Sequence, residues 1–126
     1  MSKSAPGFAT HPNHRIDIEE VTQTVRVSFA NHTIATSTRA LLVRESRYDP
    51  VIYLPITDCK HEWYIPSNTE TYCPFKGTAS YWSLQIGEEL AVDAVWEYRD
   101  PYKEMAAIKN AVAFYQSKFD IDIKLD

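Results

Sequence analysis

The sequence predicts a mainly β, single-domain protein of antiparallel strands, with one short helix in its C-terminal half. Three observations predict it. Apolar and polar residues alternate with a period of two along most of residues 15–126, the pattern of strands with one buried face. Turn-forming residues break that alternation at short intervals, so successive strands are tightly joined. Aromatic residues make up 13% of the chain, with eight Tyr and three Trp, and such side chains favour sheets and pocket walls. The apolar faces of a sheet this size must meet something, so it closes or folds over as a barrel, a sandwich or a bent sheet.

The elements follow in order. Residues 1–14 are polar, carry Pro6, Gly7, Pro12 and two His, and read as a flexible N-terminal arm. Residues 15–126 form the domain. Val25, Val27 and Phe29 alternate with Thr24, Arg26 and Ser28 in a half-buried strand. Asn31-His32 forms a two-residue hairpin loop, because Asn tolerates positive φ. Ala40 to Val43 is a short apolar run, read as a strand from its length. Val51 to Leu54 is a strand that Pro55 ends or confines to an edge. Asp58 to Tyr64 fits no single element, and Pro66-Ser67-Asn68 is loop. Glu70 to Phe75 is extended until Pro74, and Gly77 supplies a bend. Trp82, Leu84 and Ile86 share one strand face, Gly87-Glu88 turns the chain, and Ala94, Trp96 and Tyr98 share a face of the next strand. Asp100 as N-cap and Pro101 in the first helical position open the helix, with Met105, Ala106 and Ile108 as its apolar stripe. Strand character returns at Val112 to Tyr115 and Phe119 to Leu125.

Bulk properties exclude several functions. A net charge of -4 with 13 dispersed Lys and Arg gives no basic face, so nucleic acid and anionic membrane are not expected partners. No apolar run is long enough to span a bilayer, and the first residues lack the apolar stretch of a signal peptide. Two cysteines without an export signal point to reduced thiols and a cytoplasmic location.

Residues 71–82 concentrate chemistry: a thiol, an amine, two phenols, an indole, a proline and one of three glycines. This stretch belongs to a longer series. Arg39, Leu42, Arg44, Glu45, Tyr48, Pro50, Tyr53 and Pro55 come first. Thr71, Cys73, Pro74, Lys76, Gly77, Ala79, Tyr81 and Trp82 follow, then Trp96, Tyr98 and Pro101, then Ala113-Phe114-Tyr115. In order and spacing the series resembles the family catalogued as domain of unknown function 427, over nearly all of residues 20–120. The resemblance implies a small tent-like antiparallel β structure, a shape used elsewhere for zinc and for small ligands held between sheets. Some classifications place the family under a nucleotidyltransferase heading. Fold alone does not give function.

The candidate site residues are those of the motif. Arg44 and Lys76 are expected to share a recess walled by Tyr53, Tyr72, Tyr81 and Trp96, and to select a small anionic or nucleotide-like ligand. The alternative is that these residues are structural, with an Arg–Glu pair satisfying buried phenols. Cys73 and Glu45 are the catalytic candidates if the site is an enzyme. Lys76 lies three residues from Cys73, and a nearby cation raises a thiolate fraction; the commoner state of a cysteine is a small buried apolar group, and that reading is favoured. No metal or cofactor is expected: Cys59, His61 and Cys73, with His11 or His14, match no standard zinc spacing. Asp120 and Asp122 resemble the wet side of an edge strand more than a magnesium site, and three glycines make no phosphate loop. A homodimer formed through strand edges is the remaining expectation.

Overall fold

The computed structural model describes residues 3–116 and 118–126. Ten strands form two antiparallel sheets. They are β1 (Ile16–Glu20), β2 (Val25–Phe29), β3 (His32–Ser37), β4 (Leu41–Glu45), β5 (Val51–Pro55), β6 (Tyr64–Cys73), β7 (Gly77–Ile86), β8 (Glu89–Tyr98), β9 (Ala111–Phe114) and β10 (Ile121–Leu125). The large sheet runs β1-β4-β5-β9-β8-β7-β6, and the small one β10-β2-β3. The large sheet ends at two edges, β1 and β6, so the structure is mainly β but not a closed barrel.

The pleat divides the large sheet into two buried faces. On one face Leu54, Leu84, Val95 and Val112 meet Val25, Val27 and Ile34 of the small sheet, and all are fully buried. On the other face Val43, Tyr53, Ala79, Tyr81, Tyr98, Ala111 and Ala113 pack with Met105 and Ile108. Cross-strand register keeps that second set together: Val43 faces Val51, Ala79 faces Tyr98, Tyr81 faces Trp96 and Trp96 faces Ala113. Alanines between the tyrosines leave the rings room to stand on the sheet.

Several local expectations are corrected. The β2–β3 hairpin loop is Ala30-Asn31, one residue earlier than expected, with both at positive φ of 50° and 64°. That pair of dihedrals suits the right-handed strand twist, and His32 opens β3. Pro66-Ser67-Asn68 lies within β6 as an irregular stretch between Pro66 and Glu70; β6 is an edge strand, where a proline's missing N–H is tolerated. The helix does not open at Asp100-Pro101. Its six residues, Lys103–Ile108, are 3-10 in character, kinked at Met105, and have no side-chain cap. Met105, at the kink, and Ile108 are both buried in the second core.

The first residues also differ from a free arm. A four-residue helix, α1 (Gly7–Thr10), sits against the β6–β7 turn. Gly7 N–H donates to the Pro74 carbonyl at 2.9 Å, Lys103 N–H to the Lys3 carbonyl at 2.8 Å, and Ala5 N–H to Glu104 Oε1 at 2.9 Å. Phe8 packs edge-on against Phe75 at 5.0 Å, and His14 stacks on the same ring at 4.0 Å. A Cβ on Gly7 would lie 2.7 Å from the Phe75 ring and 3.0 Å from the Pro74 carbonyl, so the close approach needs glycine.

Candidate functional site

Strand alternation decides which residues meet. Val43 and Glu45 of β4, Val51 and Tyr53 of β5, Tyr81 of β7, and Trp96 and Tyr98 of β8 all project from the second face of the large sheet. Tyr115 follows β9 beside them. The three-residue turn Pro74–Lys76 closes β6 onto β7 and swings Lys76 over the same face. Gly77, at φ 120°, lets β7 start there. Together with Tyr48 and Asp49 these side chains enclose a recess of about 190 Å³.

A charged chain forms one wall. Lys76 Nζ donates to Glu45 Oε1 at 2.5 Å, and His14 Nε2 lies 2.8 Å from Glu45 Oε2. The side chains of Lys76, Glu45 and His14 are only 9%, 14% and 13% exposed. Each Glu45 oxygen therefore already has a partner inside the protein. The aromatic wall is equally tied. Trp96 Nε1–H donates to the Tyr53 hydroxyl at 3.2 Å, the two rings meeting edge-on. Trp96 also packs against Tyr115 at 4.4 Å. The Tyr81 and Thr71 hydroxyls share a hydrogen bond of 2.9 Å.

Burial sets the protonation of the phenols. Tyr53 and Tyr98 are pushed well above the ordinary phenol range, chiefly by desolvation. Tyr115, less buried, is pushed up to about 12 by desolvation and by the neighbouring Tyr81 phenol. All three are neutral O–H donors near neutral pH. The Tyr98 hydroxyl makes no hydrogen bond to another group among the described residues, and the Tyr53 oxygen, which accepts from Trp96, keeps its own proton to donate.

Of the residues expected at the site, Tyr53, Lys76, Tyr81, Trp96 and Glu45 come together. Arg44 and Tyr72 do not. Arg44 neighbours Glu45 on β4, so the pleat sends it to the opposite face; there its Nε donates to Glu19 Oε1 at 2.6 Å, both side chains more than half exposed. Tyr72 alternates with Thr71 and Cys73 in the same way, is 59% exposed, and shares a hydrogen bond with the Tyr102 hydroxyl at 2.6 Å. The pairing of Arg44 with Lys76 in one recess is thus corrected.

Cys73 is half-buried and packs against the second core. Cys59 is buried in the first core, and desolvation pushes its thiol up to about 11. The two thiols belong to opposite faces of the large sheet and cannot bind one ion together. Among the described residues no group of three or more His, Cys, Asp or Glu could hold a metal, and no helix is long and apolar enough to cross a membrane. Asp122 lies on β10 in the small sheet, paired with Lys124 at 3.7 Å, remote from the recess residues.

His14, Tyr98, Tyr115 and Asp49 escape the sequence reading as site residues. For Tyr98 a signal existed, since it alternates in phase with Trp96, and Tyr115 alternates with Ala113 likewise. Nothing in the sequence ties His14 to Glu45.

A family model described as a domain of unknown function, DUF427, and carrying a nucleotidyltransferase short name, matches residues 17–124. The chain belongs to that family. No curated protein matches it. The DUF427 match holds every sheet-borne wall of the recess and begins after His14, so the arm's contribution to Glu45 lies outside the matched stretch.

Proposed function

We propose that this DUF427 domain binds a small ring-bearing ligand in the Tyr53–Trp96–Tyr98–Tyr115 recess. The observation that carries the reading is the Tyr98 hydroxyl, a neutral donor at the aromatic wall with no protein acceptor. The ring is buried while the hydroxyl is open to the recess, so its proton is free to be donated to an acceptor on a bound molecule. Lys76 lines the same recess, with N–H donors beyond the one that Glu45 takes.

Charge and size narrow the ligand. Lys76 is offset by Glu45 and Asp49 among the lining residues, so the recess itself has no surplus of positive charge. It favours an uncharged ring with an acceptor atom over a bare anion, which modifies the expectation of an anionic ligand selected by Arg44. A volume of about 190 Å³ lies below the range usual for drug-sized ligands. In liquid terms it corresponds to roughly six waters, room for one ring and a substituent. Glu45, with both oxygens engaged, acts as a clamp for Lys76 and His14.

The experiment is a titration with benzamide, a ring carrying one carbonyl acceptor, against the wild type and Tyr98→Phe. The phenylalanine keeps the ring packing and removes only the donor. Loss of one hydrogen bond predicts a Kd increase of about three- to tenfold. Equal affinities in the two proteins, or no binding to either, contradict the reading.

A further inference from the structure

A second hollow adjoins the recess. It measures about 550 Å³ and is lined by residues of the N-terminal arm, including Thr10, His11, Asn13 and His14, by Ser46, Arg47 and Tyr48 of the β4–β5 turn, and by Phe75. Tyr48 lines both hollows. The Glu45–His14 contact joins their rims on one side, since Glu45 lines the inner recess and His14 the outer cleft.

The two hollows differ in electrical character. The inner recess has two carboxylates beside one ammonium. The outer cleft has no carboxylate among its lining residues, two imidazoles, and Arg47, whose guanidinium is permanently charged. Arg47 takes part in none of the ion pairs among the described residues. This sets it apart from Arg15, Arg26, Arg39, Arg44 and Arg99, each of which has an acidic neighbour. Arg47 also sits at φ 71° in its turn, a conformation that costs energy in a non-glycine residue.

Resting on the recess reading, we infer that the ligand is a phosphate monoester of a ring compound, with its ring in the inner recess and its phosphate in the outer cleft at Arg47. A guanidinium fork matches phosphate oxygens in pairs. Thr10, His11 and Asn13 of the arm line the same cleft as Arg47, so further hydrogen-bonding groups are available to a bound anion. A tetrahedral dianion accepts from all of them, whereas a planar carboxylate accepts in one plane. The arm, outside the family match, thereby supplies one side of the anion subsite.

The test compares 2-phenylethyl phosphate, 2-phenylethanol and inorganic phosphate, each titrated against wild type, R47A and R26A while the Trp96 indole N–H resonance is followed by NMR. Arg26 is an exposed arginine on β2 in the small sheet and serves as the charge-matched control. The expected result is that the phosphate ester binds at least about tenfold tighter than the alcohol in wild type and R26A, the effect of one charged hydrogen-bonded contact. In R47A that ratio falls toward one. A ratio near one in wild type, or a ratio preserved in R47A, overturns the inference. Inorganic phosphate binding as tightly as the ester also overturns it, because the ring then adds nothing. Failure of the recess reading is seen separately, as no response to the uncharged alcohol or to benzamide in any of the three proteins.

Discussion

Lys76 is 7% exposed and is held by a carboxylate, whereas Arg44 is an exposed cation held by another. The two positions therefore differ in what their charge costs to disturb. Removing one member of a sheltered pair leaves the other uncompensated, so Lys76→Met is expected to lower the unfolding free energy by about 2–4 kcal/mol. Arg44→Met breaks an exposed pair and is expected to cost below about 1 kcal/mol. Urea denaturation of the two variants checks this, and equal losses would show that Lys76 is as solvated as Arg44. The contrast also explains what the sequence could convey. Period-two alternation assigns Glu45 and Arg44 to opposite faces, and that rule was present in the residues 41–45. Family motif membership pulled in the other direction, because a motif marks positions without saying which way they point.

At the scale of elements, the strands were legible because alternation and turn residues are local signals. The 3-10 segment and the docked arm were not, because both are fixed by contacts with distant residues. Asp100-Pro101 carries a sound helix-start pattern, yet the Tyr102 N–H bonds the Lys76 carbonyl at 3.0 Å, and the 3-10 segment begins only at Lys103. The arm is held by Phe75 and Pro74, some seventy positions away, and its polar composition hides the contact made by Gly7. Gly7→Val should displace it, since the added atoms meet Phe75 and a backbone carbonyl. The expected outcome is faster tryptic cleavage after Arg15 in the variant, with the β-sheet circular dichroism retained. An unchanged cleavage rate would mean that the docking does not depend on that approach.

Across the whole molecule, two apolar faces on one seven-stranded sheet bury an unusual number of weak acids. Cys59 is raised to about 11, and Tyr53, Tyr64 and Tyr98 are raised further, all chiefly by desolvation. The unfolded chain releases these protons at ordinary thiol and phenol values while the native state keeps them. The unfolded state then binds fewer protons, so stability falls as pH rises. The Cys59 contribution is intact below about pH 9 and is lost between about 9 and 11; the tyrosines add to the slope above about pH 10. Each group contributes up to about 1.4 kcal/mol per pH unit within its window. Urea midpoints taken from pH 8 to 11 should decline with increasing steepness, and a flat profile through pH 11 would contradict the burial of these groups. Cys59→Ala should remove the part of the decline that begins first.

The three indoles give the recess its most direct readout. Trp96 lies in the aromatic wall, Trp82 donates to Glu97 at 2.8 Å on the other face of the sheet, and Trp63 packs against His32 at 5.2 Å. In a nitrogen-15 spectrum of the wild-type protein titrated with benzamide, the Trp96 indole cross-peak is predicted to move in a saturable way while those of Trp63 and Trp82 stay in place. A Trp96 signal that does not move, or three signals that move together, would contradict the account.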